Sequence, residues 1–150
     1  MNRNYIVYSG LAIILFMVDR ITKWWAVEQL KDGSYYINQF LSFEVAFNRG
    51  ISWSIFYSTN SFAFALLTFV IACIIGLLSY YMLYRLNNGY AIWGCLIAWV
   101  GGISNLFDRL YYQGVVDFIV ISYRGWSWPI FNVADICIMI GVLYVAFYEL

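Results

Sequence analysis

Two carboxylates stand where carboxylates are costly. Asp117 lies in Gly114-Val115-Val116-Asp117-Phe118, and Asp135 lies one helical turn beyond Asn132 in an apolar run that follows Pro129, the only proline. Apolar surroundings disfavour an ionised acid, and two acids that meet repel each other, so such a pair would share one proton near neutral pH. Its ionised member could deprotonate a water while the protonated member polarises a carbonyl. That is general acid–base hydrolysis with no need of serine, histidine or metal. A structural reading competes, in which Asp117 and Asp135 pair with Arg109, Arg124 or Lys23, and spacing alone leaves both open.

Other polar residues have informative spacing. Asp19 and Lys23, four apart with the acid first, share one helical face and read as a structural salt bridge. Gly94, Ala98, Gly101, Asn105 and Asp108 recur in steps of three and four, a stripe that is small for most of its length and polar at its end. It reads as a packing seam below, with Asn105, Asp108 and Arg109 at a functional mouth above. Ser104 after Gly101-Gly102 would need a lysine base, with Lys23 the candidate, because the chain has no histidine. That absence removes Ser-His-Asp and Cys-His catalysis and His-ligated metal or haem. Cys73, Cys95 and Cys137 are far apart in apolar runs and read as packing residues. No metal or cofactor is expected.

These residues are carried by a chain that is 64% hydrophobic, 22% aromatic and 11% charged over 150 residues, with a mean hydropathy of +0.76. No globular domain in water buries that much apolar surface, so the expected solvent is lipid. Eight basic residues balance eight acidic ones, which leaves no electrostatic footprint for nucleic acid. With about 20 residues per crossing, the expected fold is all-α and polytopic. Four transmembrane helices at about 5–25, 62–84, 90–108 and 130–148 form a single domain spanning 1–150. The first run follows Arg3 but is continued by Asp19, Arg20 and Lys23 without a small-residue cleavage pattern, so it reads as a retained span rather than a signal peptide. The 85–89 link, with Asn87, Asn88 and Gly89, makes the second and third spans an antiparallel hairpin.

Alternation puts both termini and the 85–89 turn on one face of the membrane, and segments 26–61 and 108–129 on the other. In the first of these segments Leu41, Phe43, Val45 and Phe47 alternate with Ser42, Glu44, Ala46 and Asn48, the period of a half-buried strand. Phe118–Tyr123 is also strand-like, and together they predict a small β-sheet cradle over the helix ends. Trp24, Trp25, Trp53, Tyr111, Tyr112, Trp126 and Trp128 flank these segments as an interfacial belt would. Asp19, Lys23, Asn48, Gly50, Asn105, Asp108, Arg109, Asn132 and Asp135 all fall at this level, and ionisable groups within spans are functional by default.

The chain resembles the lipoprotein signal peptidase (signal peptidase II) family in Asp19-x-x-Thr22-Lys23, Asn48-x-Gly50, Gly101-Gly102-x-x-Asn105-x-x-Asp108-Arg109, Gly114-Val115-Val116-Asp117-Phe118 and Pro129-Ile130-Phe131-Asn132-Val133-Ala134-Asp135. The resemblance implies an aspartyl endopeptidase of the bacterial inner membrane, metal-free and targeted by the cyclic peptide globomycin. Its substrate is a prolipoprotein carrying a diacylglyceryl cysteine, cut immediately before that cysteine. By motif position Asp117 and Asp135 would be the catalytic dyad. Asn48, Asn105, Arg109 and Asn132 would hold substrate or neighbouring groups, and Asp19, Lys23, Gly50 and Asp108 would support the site. It further implies a periplasmic cradle, cytoplasmic termini, membrane lipid as a partner and a monomer. Ile51-Ser52-Trp53 departs from the small residues usual in the family after Asn-x-Gly and predicts a bulkier flap.

The Lys and Arg count disagrees with that orientation. Arg20, Lys23, Lys31, Arg49, Arg109 and Arg124 lie toward the site and only Arg3 and Arg85 opposite, which would make the site cytoplasmic. Several of these cations stand beside acids and are poor topology signals, so the orientation follows the resemblance. A non-enzymatic transporter or proton-relay subunit is the rival reading, but its path should continue through spans whose lower halves lack charge. A purely structural membrane subunit leaves the five motifs unexplained.

Overall fold

A computed structural model describes residues 3–31, 33–50 and 58–149. In chain order it has α1 (Arg3–Gln29), β1 (Tyr35–Tyr36), β2 (Leu41–Asn48), α2 (Ser61–Asn87), α3 (Trp93–Tyr111), β3 (Val115–Tyr123), β4 (Trp126–Ser127) and α4 (Val133–Tyr144), the last continued by a π-type turn over Val145–Glu149. Two helical stretches, Asn4–Gln29 and Ser61–Asn87, are long and apolar enough to cross a membrane. Their outer surfaces stay apolar: Ile13, Phe69 and Leu77 are 62%, 66% and 69% exposed. Water would not tolerate that surface, and lipid would.

Helix ends follow local chemistry. Asn60 begins α2 by accepting from the amides of Phe62 and Ala63 at 2.8 and 3.3 Å. At its other end Gly89 N–H donates to Leu86 O and Tyr90 N–H to Arg85 O, with Gly89 at φ +79°, a Schellman closure that Gly accepts without strain. This closure uses Tyr90, so α3 starts at Trp93 rather than at 90. The first amides of α3 find a distant partner. The Glu149 carboxylate accepts from Gly94 N–H at 2.9 Å and Cys95 N–H at 3.4 Å, while Arg85 donates to the Glu149 main-chain carbonyl. The few charged residues expected at the end of the helices remote from the sheet therefore include one that folds back onto the start of α3. Glu149 is buried there as a cap.

The fourth helix begins at Val133, not at 130. Phe131 is held as an extended bridge to Ile119, and Asn132 then caps the helix in a reciprocal box with Asp135. Asp135 consequently sits in the first turn of the helix.

Helices α3 and α4 meet almost backbone to backbone. A Cβ on Gly101 would lie 2.4 Å from Ala134 O, and one on Gly141 2.4 Å from Ala98 N. The stripe of small residues thus packs α3 against α4 and draws the polar end of α3 to the first turn of α4.

All four strands are antiparallel in the order β1-β2-β3-β4. Strand β3 starts three residues before the expected 118. A two-residue turn at Arg124 (φ 48°) and Gly125 (φ 81°) joins it to β4 with the left-handed backbone that tight hairpins need. The register of β2 on β3 departs from simple alternation. Phe43 stands opposite Ile119, but the next pair is Ala46 with Asp117, so β2 carries one extra residue. Without this bulge Phe47 would face Val115. With it Asn48 does, on the face of the sheet that carries Asp117, and Phe47 turns out to 47% exposure. Behind the sheet Ala26, Leu30 and Phe118 form a small core joined by Phe43 and Val45.

Gly101→Ala should destabilise the detergent-solubilised protein by about 1–3 kcal/mol in an SDS unfolding titration, because backbone rather than a flexible side chain blocks the methyl. Gly76→Ala, with open space around it, should be neutral or gain up to about 1 kcal/mol.

Candidate functional site

Lys23 is 2% exposed, and its three donor hydrogens meet three acceptors: Asp19 Oδ2 at 3.0 Å, Asp108 Oδ2 at 2.7 Å and Asn105 Oδ1 at 2.7 Å. Arg20 completes the group, bridging Asp19 Oδ2 at 2.9 Å and Asp108 Oδ1 at 2.6 Å. Two cations and two anions balance. The remaining acceptor capacity of the acids ties in other elements, with Asp19 taking Ser104 Oγ–H at 2.6 Å and Ala134 N–H at 2.8 Å, and Asp108 taking Val116 N–H at 3.2 Å. The expected Asp19–Lys23 pair is present inside a network the spacing did not reveal. Arg20 was legible only as a cation, since its bond to Asp108 crosses 88 positions of sequence. Ser104 is buried and donates to Asp19, and Lys23 is fully engaged, which leaves no Ser-Lys dyad.

Three asparagines carry this order to the two aspartates. Because Lys23 can only donate, the amide oxygen of Asn105 must face it, and Asn105 Nδ2 then donates to Asp135 Oδ1 at 2.8 Å. The Asn132 oxygen accepts from Asp135 N–H at 2.9 Å, which turns its Nδ2 to Asp117 Oδ1 at 2.6 Å. Asn48 Oδ1 accepts from Gly50 N–H at 2.8 Å, which turns its Nδ2 to Asp117 Oδ2 at 3.0 Å. Asp135 Oδ2 takes Asn132 N–H at 3.2 Å. Each of the four carboxylate oxygens thus accepts one N–H, and among the described residues no salt bridge reaches either acid. The ion-pair reading with Arg109, Arg124 or Lys23 is not what the geometry shows.

Burial first, then repulsion from Asp135, pushes the Asp117 carboxyl up to about 7, against the opposing pull of the Asn48 and Asn132 hydrogen bonds. A carboxyl near neutrality is half-protonated there, able to give or to take a proton.

Both aspartates line one cavity of about 600 Å³, together with Asn48, Gly50, Asn105 and Arg109 at its polar end. Trp126, Trp128, Ile130, Ile138 and Met139 are among the residues that make the rest apolar. Beyond Asp135 an adjoining groove follows Ile138, Met139, Val142 and Leu143 down the outer face of α4. Arg109 Nη2 donates to the Gly50 carbonyl and so fixes the chain just after β2. Asn132 is wholly buried and Asp108 likewise, so both act behind the cavity wall. Trp24, Tyr111, Trp126 and Trp128 are exposed around this level, as a belt would be, whereas Ile51, Ser52 and Trp53 lie outside the described residues. No cluster of three metal-ligating side chains occurs among the described residues.

Residues 11–150 match the model of a family described as Signal peptidase (SPase) II. The chain is 36% identical over 143 residues to the lipoprotein signal peptidase of Clostridium novyi, covering 92% of this chain and 95% of that protein. It is 33% identical over 135 residues to the lipoprotein signal peptidase of Clostridium acetobutylicum, covering 88% and 86%. A bacterial membrane enzyme solved by the in meso method at 2.3 Å resolution shares the fold, with a TM-score of 0.76 at 23% identity over 95% of this chain and 88% of that one.

Lys23→Met should cost about 3–5 kcal/mol in the same unfolding titration, because it strands buried carboxylates. Folded Asp117 holds its proton more tightly than the unfolded chain does. Its stabilising contribution is therefore complete below 3.8 and is lost as pH rises through about 7. The stability of Asp117→Asn relative to wild type should accordingly improve from about pH 4 to about pH 8, and a pH-independent difference would contradict the assigned environment.

Proposed function

The chain belongs to the signal peptidase II family, and on that premise we propose that it is an aspartyl endopeptidase in which Asp117 and Asp135 act as a dyad. The substrate is a prolipoprotein carrying a diacylglyceryl cysteine, and the bond cut is the one before that cysteine. The observation that carries this reading is the convergence of both acids on one cavity, each held by amide donors instead of cations. A lysine or arginine in contact would lock a carboxylate in its ionised form. Amide donors leave the pair free to share a proton.

In the reaction the ionised member takes a proton from water as the oxygen attacks the scissile carbonyl, and the protonated member donates to the carbonyl oxygen. Collapse of the tetrahedral intermediate returns that oxygen to a carbonyl and delivers a proton to the departing cysteine nitrogen. Asn48, Asn105 and Asn132 hold the acids, and Arg109 with Gly50 holds the edge of the cavity against the substrate backbone. Asp19, Lys23 and Asp108 position these groups from behind.

The apolar lining and its continuation along α4 suit a substrate whose acyl chains and signal helix come sideways from lipid. In this reading all four helices span the bacterial cytoplasmic membrane, the sheet lies on the periplasmic or exterior side, both termini are cytoplasmic and the enzyme works as a monomer. Two apolar helices of full spanning length, an aromatic level around the sheet, and the cap that joins Glu149 to the start of α3 support that arrangement. A reporter active only when exported should be silent when fused after Leu150, and activity there would overturn the orientation.

A gel-shift assay in detergent with diacylglyceryl-modified prolipoprotein tests the chemistry. Wild type should cleave with a chelator present, and Asp117→Asn and Asp135→Asn should each lose on the order of 10²–10⁴-fold in rate while remaining folded. The pH profile should be bell-shaped, its alkaline limb near pH 7, where Asp117 loses its proton. Full turnover by either variant would rule out the dyad.

A further inference from the structure

Phe64, a buried residue of α2, carries two guanidinium groups. Arg49 Cζ lies 4.8 Å and Arg109 Cζ 5.5 Å from its ring centroid. Arg109 is 4% exposed and lines the cavity beside Asp117 and Asp135. Its Nη2 is occupied by the Gly50 carbonyl, but its Nη1 is buried without a hydrogen-bond partner, and so is Arg49 Nε. The ion pairs among the described residues use Arg20, Lys23 and Lys31 and neither of these arginines. Residues 51–57 contain no acid, and Asp117, Asp135 and Asp108, which act on Arg109 through space, form no ion pair with it.

Two like charges on one ring, with donors left buried and open, are a costly arrangement for an empty site. Contact with an aromatic face returns less than the desolvation of a guanidinium costs. The arrangement is resolved by an anionic acceptor, and the proposed reaction makes one at this place. Hydrolysis breaks the C–N bond: the acyl carbon keeps the water oxygen and becomes a carboxylate, while the nitrogen leaves as the amine of the lipidated cysteine. The new negative charge arises in a cavity where the dyad already holds one, and repulsion would expel it unless a cation receives it.

We propose that Arg109 and Arg49, stacked on Phe64, form an anion site for the carboxylate created at the C-terminus of the released signal peptide. Arg109 supplies the contact from the cavity wall, and Arg49 supplies the second positive charge behind it. The inference rests on the peptidase reading above and extends it to a product. The same carbon in the substrate belongs to a neutral amide, so the site favours product over substrate and separates the new acid from the dyad. Arg49 lies between Asn48 and Gly50, so the same short segment that positions the Asp117 partner also supplies the second charge.

The test uses the full-length enzyme in neutral detergent, with two synthetic signal peptides that end at the residue before cysteine, one a free acid and one an amide. Against cleavage of the diacylglyceryl prolipoprotein, the acid should inhibit wild type about tenfold better than the amide. That ratio should fall toward one in Arg49→Gln and be partly restored in Arg49→Lys. Direct binding of fluorescent forms of both peptides gives the same ratio for a variant that cleaves poorly. Equal inhibition of wild type by acid and amide overturns the site, as does an unchanged ratio in Arg49→Gln. Loss of the wild-type preference when phosphatidylglycerol is added would assign the pair to a lipid phosphate and overturn it too. A wild type that binds the acid selectively yet cleaves nothing would strike the peptidase reading instead.

Discussion

Everything at the site hangs from a lysine that water does not reach. Lys23, with Arg20, faces Asp19 and Asp108, and each acid spends its remaining acceptor capacity on the backbone or hydroxyl of a different element. Asp19 holds Ser104 of α3 and the Ala134 amide at the start of α4, and Asp108 holds the Val116 amide at the start of β3. Ions buried so deeply are stable only when every one is paired and hydrogen-bonded, so the network accepts one arrangement of α1, α3, α4 and the sheet and penalises others. The apolar surfaces are far less particular. Lipid-facing side chains can slide against one another at little cost, and polar groups away from water cannot.

The buried ion network does not touch the acids it organises. Lys23 reaches Asn105 and stops there, and Asn105 passes on a neutral N–H to Asp135. Asn132 is a second such relay, tying the helix cap of α4 to Asp117 while its backbone holds Asp135. Amides are suited to this because each has one accepting and one donating end. Once a fixed donor claims the oxygen, the NH₂ must turn the other way. The acids are therefore oriented as firmly as ion pairs would be, with less of the bias toward full ionisation that a cation in direct contact would impose.

Legibility followed the range of the interaction. The apolar runs, the strand at 41–48 and the gathering of polar residues at one level are all carried by composition and short periods, and they were read from the chain. The Asp19–Lys23 pair is local as well, four residues apart on one helix. Arg20 with Asp108, Ser104 with Asp19 and Glu149 with Gly94 join positions 55 to 88 apart, and no local pattern encodes them. The bulge in β2 is the instructive case. Alternation along 41–48 is continuous in sequence, yet the register skips a residue after Phe43, and only the partner strand reveals it. The two helix starts shifted for a similar reason: Tyr90 closes the preceding turn and Phe131 bridges to Ile119, and each would have been helical on hydropathy alone.

The small residues of α3 and α4 then acquire a role beyond packing. A hydrogen bond of 2.8 Å from Asn105 to Asp135 requires the two helices to run close together up to that point. Gly94, Gly101 and Gly141 allow this by leaving no side chain between the backbones, where even a methyl group would sit 2.4–2.9 Å from main-chain atoms. In the proposed four-span arrangement lipid supplies little force to press these helices together, since their apolar faces gain little from leaving one hydrocarbon for another. Close backbone contact and the polar bonds at its upper end therefore have to supply the force, each depending on the other. The seam brings the amide within reach of the acid, and the buried bonds that result hold the seam closed.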